Sequence, residues 1–175
     1  DKAPYGLTEL ARESVRGARI VANPGCYPTS ILLALAPLVE RQLVADGSVM
    51  IANSASGVTG AGNAPRREYL FGEVVEDYRA YGVGNTHRHL NEMRATLARM
   101  GSRADLVFTP HLLPITRGIL SSITVELREP LDDPLEPWRQ QFEREPFVEL
   151  VSAPPRVRDV AYRNAVQVYG QPVAG

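Results

Sequence analysis

Gly118-Ile119-Leu120-Ser121-Ser122-Ile123-Thr124-Val125-Glu126-Leu127-Arg128 is the clearest strand pattern in this chain. Ile119, Ile123, Val125 and Leu127 share one face, against Ser122, Thr124, Glu126 and Arg128 on the other. A sheet with one packed side and one wetter side favours antiparallel pairing. Outward from this run, Ser48–Ser54, centred on Val49, Met50 and Ile51, and Ala104–Thr109 read as strands. Phe147–Val151 and Asn164–Tyr169 are shorter ones, and Arg19–Ala22 reads as a strand end. Helical spacing predicts a helix from Pro28 to about Leu43 through Ile31, Leu35 and Leu38, kinked or split at Pro37. A second is capped by Asn85 or Thr86 and carries Leu90, Met93, Leu97 and Met100 on one face. A third opens at Asp133-Pro134 and turns Leu135, Trp138 and Phe142 inward. One helical turn is expected around Leu7–Arg12, and Arg66–Asp77 reads as helical with Gly72 weakening it. The expected fold class is α+β, a mixed, mostly antiparallel sheet with helices packed on one face.

The 175 residues suffice for one domain with its own core, and 44% hydrophobic with 22% charged residues is ordinary for a soluble globular chain. A net charge of -1 gives no electrostatic reason to expect nucleic acid or an anionic membrane as partner. The longest apolar run, Ile31–Val39, falls far short of the roughly 20 residues that span a bilayer. A single cysteine excludes an internal disulfide and fits a reducing, cytoplasmic compartment. Asp1-Lys2 reads as a mid-chain start and Gln171-Pro172-Val173-Ala174-Gly175 as an abrupt end, so a fragment of a longer protein is expected.

That cysteine sits in Asn23-Pro24-Gly25-Cys26-Tyr27-Pro28-Thr29-Ser30, directly before an apolar helical run. Amides and the positive dipole end of a helix favour thiolate over thiol, and Pro28 suits a first helical position. Gly25 permits a sharp turn and leaves room beside the sulfur. A reactive nucleophile and a buried, inert thiol are both open readings of this motif.

A nucleophilic thiol needs a proton partner, and the chain has three histidines, His87, His89 and His111. Two residues apart on a helix, His87 and His89 would point to nearly opposite sides, and His87 is preferred because it lies nearer the loop. The three histidines as metal ligands are set aside, since no carboxylate motif accompanies them; no metal site is expected. Arg117, where a loop enters the strongest strand, and Arg88 are candidates to grip a carboxylate or phosphate. Ser56-Gly57-Val58-Thr59-Gly60-Ala61-Gly62-Asn63 offers either a mobile hairpin or backbone amides that approach a ligand. Its glycine spacing differs from G-x-G-x-x-G, so these residues give no dinucleotide fold.

Asn23 to Thr29 resembles the active-site cysteine segment of the N-acetyl-gamma-glutamyl-phosphate reductase family. Tyr5–Leu10, Ser56–Gly62, His87-Arg88-His89 and Phe108-Thr109-Pro110 through Thr116-Arg117-Gly118-Ile119 match in family order, with an echo near Asn164. The resemblance implies a glyceraldehyde-3-phosphate dehydrogenase-like catalytic and dimerisation domain over residues 1–175, without the amino-terminal Rossmann NADP-binding domain and the closing carboxy-terminal segment. It implies NADP-dependent reduction of N-acetyl-gamma-glutamyl phosphate to the semialdehyde through a thioester on Cys26, in arginine biosynthesis. Catalytic roles then fall to Cys26 with His87 or His89, and substrate binding to Arg117, Arg88 and Asn23. Ser56, Gly57, Gly60 and Gly62 would lie near NADP, most of which the missing domain would hold, and a homo-oligomer is expected. Other readings remain: a related reductase of an aminoadipyl phosphate in lysine biosynthesis, a cofactor-free cysteine acyl hydrolase, or a non-catalytic interaction domain.

Overall fold

A computed structural model describes residues 3–173; Asp1, Lys2, Ala174 and Gly175, on which the expected chain ends partly fall, lie outside the described residues. The elements are α1 (Thr8–Val15), α2 (Cys26–Glu40), β1 (Val49–Gly57), α3 (Phe71–Val74), β2 (Arg79–Ala80), α4 (His89–Arg99), β3 (Asp105–Leu113), β4 (Ile119–Thr124), α5 (Glu136–Phe142), β5 (Val148–Leu150), α6 (Val157–Val160) and β6 (Val166–Val168). Four strands form one sheet in the order β2-β3-β1-β4, and β5 and β6 make a separate parallel pair. Two of the three pairings in the main sheet are antiparallel, and the central one, β1 with β3, is parallel. The α+β reading therefore holds with a mixed sheet. The parallel pair needs a crossover, which α4 supplies.

The alternation in 119–128 is borne out as packing, since burial alternates through all ten residues. Its ladder is shorter. Beyond Thr124 the backbone leaves β1 and bonds to the turn after α2, with Ala45 N–H on Glu126 O (2.9 Å) and Arg128 N–H on Leu43 O (2.8 Å). Helix α2 is apolar nearly all round, because it lies between the sheet and its helical neighbours; Ile31, Leu32, Leu33, Leu35 and Ala36 are all at most 1% exposed. It runs unbroken through Pro37, correcting the expected split. Pro37 lies one turn from the helix end, where a lost hydrogen bond disturbs little below it, and its ring is fully buried. Trp138 of α5 donates its indole N–H to Ala34 O (3.0 Å), which ties α5 across α2.

On the covered face of the sheet lie Met50, Ala52, Ser54, Leu106 and Phe108. Ser121 links the hydroxyls of Ser54 and Ser30, at 2.8 Å each, so the polar groups of this core are satisfied against one another. Val49, Ile51, Val107 and Leu120, on the opposite face, are 38–45% exposed. Several sequence expectations need correction. Arg19–Ala22 contributes only an isolated bridge from Ala22 to Tyr5. Arg66–Asp77 is not one helix but a 3-10 turn at Arg67–Tyr69 and the four-residue α3. The helical turn expected around Leu7–Arg12 is present at the start of α1, and a second helical piece follows a kink at Ala11 (φ -141°, ψ 23°). Asp133 does not cap α5 directly; its Oδ1 accepts the Leu135 N–H (2.9 Å), and the helix begins at Glu136.

Candidate active site

Cys26 occupies the first position of α2, so the helix starts two residues before Pro28. Pro28 still costs nothing there, because the first-turn N–H groups of a helix have no intrahelical partner. The Gly25 N–H donates to Glu92 Oε1 (3.0 Å), and the Thr29 N–H closes on Gly25 O (3.0 Å). Between them, the N–H groups of Cys26 and Tyr27 are the first-turn donors that remain. Cys26 is exposed, which removes the buried-thiol reading.

The two histidines meet this turn differently from the sequence expectation. His87 precedes α4 instead of lying on it, so the rule of opposite helix faces does not apply, and the two rings sit 4.8 Å apart. His87 Nδ1 accepts the His89 N–H (3.1 Å), a capping role at the start of α4. Its ring packs edge-on against Tyr27, Tyr81 and Phe108. His89 is the imidazole at the cysteine turn: a Cβ at Gly25 would lie 2.7 Å from its Nε2 and Cε1. Only glycine lets that ring rest on the backbone next to Cys26.

Burial pushes both imidazoles below the usual histidine range; Arg88 adds to this at each, and at His89 the Glu92 carboxylate opposes it. A neutral His89 is a competent base. His89 Nδ1 is buried without a hydrogen-bond partner. Glu92 is one turn further along α4, on the same helix face. It accepts from Tyr5 Oη (2.6 Å) as well as from Gly25, and so joins the amino-terminal segment, the cysteine turn and α4. The sequence reading missed Glu92, although the spacing His89-x-x-Glu92 carried the signal. With Glu92→Gln the carboxamide oxygen can still accept both bonds while the charge that raises His89 is gone. The acid limb of kcat/KM against pH is then expected to move to lower pH, and a limb that stayed put would remove Glu92 from this role.

Behind the thiol, the Tyr27 and Tyr81 hydroxyls share a hydrogen bond of 2.7 Å. Burial raises both phenols, so they stay protonated, and Ser56 lies beside them. The glycine segment is not a hairpin. Ser56 and Gly57 end β1, and Val58–Ala61 form a 3-10 turn. The N–H groups of Gly57, Val58 and Thr59 bond to the carbonyls of Gly118 (3.0 Å), Ile115 (2.9 Å) and Thr116 (3.3 Å), so these amides hold the 115–118 loop. Gly57 is packed so closely on that loop that a Cβ would lie 2.7 Å from Thr116 O. Gly60 and Gly62 are exposed, with open space around Gly62.

Arg117 extends from the same loop into a cavity of about 570 Å³, which Thr116, Arg158 and Tyr162 also line. Arg156 is paired there with Asp159, whereas Arg117 and Arg158 have no ion-pair partner among the described residues. Arg88 and Asn23 are exposed, and Asn23 donates to Pro24 O (3.3 Å). His111 lies apart from the other histidines, stacked on Tyr78 at 5.1 Å. Among the described residues no three His, Cys, Asp or Glu side chains converge to hold a metal ion, and no helix is long and apolar enough to cross a membrane.

The structure thus combines a mixed sheet covered on one face by helices, an exposed thiol at a helix start and an imidazole against the glycine that precedes it. The chain belongs to the semialdehyde dehydrogenase, dimerisation domain family, whose model matches residues 26–173. It is 47% identical over 154 residues to an N-acetyl-gamma-glutamyl-phosphate reductase of Halorhodospira halophila, covering 87% of this chain and 44% of that protein. To the protein of the same name from Pelobacter propionicus it is 49% identical over 152 residues, covering 85% and 44%. The chain thus spans about half the length of the curated relatives it matches. A probable aspartate-semialdehyde dehydrogenase from Pseudomonas aeruginosa shares the fold at TM-score 0.68 and 18% identity, over 94% of this chain and 57% of that one. So does an aspartate semialdehyde dehydrogenase with NADP from Candida albicans, at TM-score 0.57 and 12% identity, over 89% and 51%.

Proposed function

We propose that this chain is the catalytic and dimerisation domain of a longer NADP-dependent reductase that converts N-acetyl-gamma-glutamyl phosphate to N-acetyl-glutamate semialdehyde. The observation that carries this reading is the exposed Cys26 at the first position of α2 with the His89 imidazole against Gly25. The names of the relatives at 47% and 49% identity support the substrate.

In the first step Cys26 Sγ adds to the acyl carbon, the bond to the phosphate oxygen breaks, and a thioester remains. His89 takes the thiol proton and passes it to the departing phosphate. The N–H groups of Cys26 and Tyr27 face the acyl oxygen as it gains charge, at the positive end of α2. Arg117, with Arg158 of the same cavity lining, grips the anionic ends of the substrate, and exposed Arg88 and Asn23 are further candidates to bind them. Gly60 and Gly62, exposed and with open space at Gly62, fit the approach of a flat ring and would lie along the reactive end of NADP. When bound, NADPH supplies the hydride that reduces the thioester carbon. The oxyanion so formed is held by the same two amides, the C–S bond breaks to release the aldehyde, and a solvent proton restores the thiol. A reducing cytoplasm suits such a thiol.

Incubating the complete enzyme with N-acetyl-glutamate semialdehyde, phosphate and NADP should generate NADPH absorbance in proportion to enzyme. Turnover confined to the aminoadipyl homologue would transfer the chain to that substrate, and acyl hydrolysis without NADP would defeat the reductase reading.

The same reading includes pairing of two copies through the open sheet face, where Val49, Ile51, Val107 and Leu120 form an apolar surface. A lysine at the centre of that face would bury an unpaired charge twice in a symmetric pair. Ile51→Lys is therefore expected to halve the mass measured by sedimentation equilibrium, and an unchanged mass would place the interface elsewhere.

A further inference from the structure

The loop that carries the histidines to the cysteine turn has one side-chain attachment to the sheet. Strand β2 ends at Ala80, the Tyr81 N–H still donates to Pro110 O (3.0 Å), and residues 82–86 then leave the edge of β3. Pro110 has no N–H, so the ladder along this edge is interrupted where the chain departs. Two residues back along β3, the side chain of Asn85 takes the place of a strand. Its Oδ1 accepts the Phe108 N–H (2.9 Å) and its Nδ2 donates to Leu106 O (3.2 Å). A carboxamide carries the same donor and acceptor as a peptide group, so it continues the edge pairing with no further backbone. Asn85 sits at φ 61°, a left-handed conformation that asparagine tolerates better than most residues. It is thus not the N-cap of α4 that the sequence indicated. These two bonds are the only hydrogen bonds that tie residues 82–86 to the sheet among the described residues.

From this geometry we infer that Asn85 is a positioning residue for the reaction, a clamp that sets the register in which His87 and His89 reach the cysteine turn; this rests on the proposed Cys26–His89 chemistry. The connection is short and physical. Gly82 packs on His87, where a Cβ would lie 3.3 Å from its Cβ, and the Phe108 ring lies edge-on to the His87 ring at 5.5 Å. His87 Nδ1 holds the His89 N–H, and the His89 ring lies on Gly25. Leu106 O also accepts Arg94 Nη2 of α4 (3.2 Å), so loop and helix hang from one carbonyl. A slip of the loop would move the imidazole by a fraction of an ångström to an ångström, enough to spoil proton transfer while the substrate cavity at Arg117 stays intact.

Two variants in the complete enzyme test this, Asn85→Gly, which keeps the left-handed backbone and deletes the clamp, and Asn85→Asp, which keeps the acceptor for Phe108 and loses the donor. Three quantities are read: the hydrogen-exchange rate of the Phe108 amide, kcat, and KM for the acyl phosphate. The expected result is faster Phe108 exchange and a kcat lowered about tenfold or more in Asn85→Gly, with KM within about twofold and partial recovery of kcat in Asn85→Asp. Faster Phe108 exchange with kcat within twofold of the parent would overturn the positioning role, as would a loss that appears in KM alone. Should Asn85→Gly fail to fold, Asn85→Asp decides by the same criteria. The exchange measurement needs no substrate, so a clamp that forms in a protein inactive on the acyl phosphate would count against the proposed reaction and not against the clamp.

Discussion

Cys26→Ser should reduce kcat by more than about a thousand-fold while leaving the protein folded. An alcohol ionises far less readily than a thiol, so a hydroxyl placed at the same helix start gives almost no nucleophile near neutral pH. The side chain is exposed and holds nothing in the core, so the exchange of sulfur for oxygen should change stability by less than about 0.5 kcal/mol. Thermal unfolding beside steady-state turnover separates the two effects. A second readout is direct: mixing the parent enzyme with acyl phosphate in the absence of NADPH should add one acyl mass to the peptide that contains Cys26, and the serine variant should show none. Near-parental turnover in Cys26→Ser would end the thioester mechanism.

His89→Asn is the second large effect, with an expected loss of about a hundred- to a thousand-fold in kcat. Asparagine roughly fills the space against Gly25 and keeps a polar tip, yet it has no lone pair of useful basicity. His87→Asn should lose less. Its ring holds the amide of His89, whereas the atoms nearest Gly25 are those of His89, so that variant loosens the arrangement without removing the base. The order of the two losses is the discriminating observation, and a larger loss at His87 would reverse the assignment. In the proposed mechanism neutral His89 is the form that takes the thiol proton, and burial holds its protonation below the usual histidine range. Activity is therefore expected to be full at neutral pH and to fall as pH drops through the His89 titration.

Much of this architecture was readable from local pattern. The alternation of 119–128 placed β4 with its packed face inward, and the spacing of Leu90, Met93 and Leu97 placed α4. Both are strong periodic signals, and each side chain's burial follows from its own position along the element. Pro37 and Asn85 were misread for the complementary reason. Proline breaks a helix by local rules, yet here its ring is buried in the last turn of α2; asparagine is a common N-cap, yet here its amide found a strand edge 21 and 23 residues further along the chain. Local propensity states what a residue does when nothing distant competes, and in both places a tertiary partner competed.

The chain's own order of residues determined the candidates for chemistry: one cysteine, placed where an apolar helix begins, and three histidines as possible proton partners. Which histidine lies beside the cysteine turn was decided only in three dimensions, because His87 and His89 are two residues apart and the selection depends on where α4 starts and on which ring can lie against a backbone without a Cβ. Glu92, Tyr5 and Gly25 meet across 87 and 67 positions of sequence. Contacts of that span are set by how elements pack, and no spacing rule in a single chain encodes them.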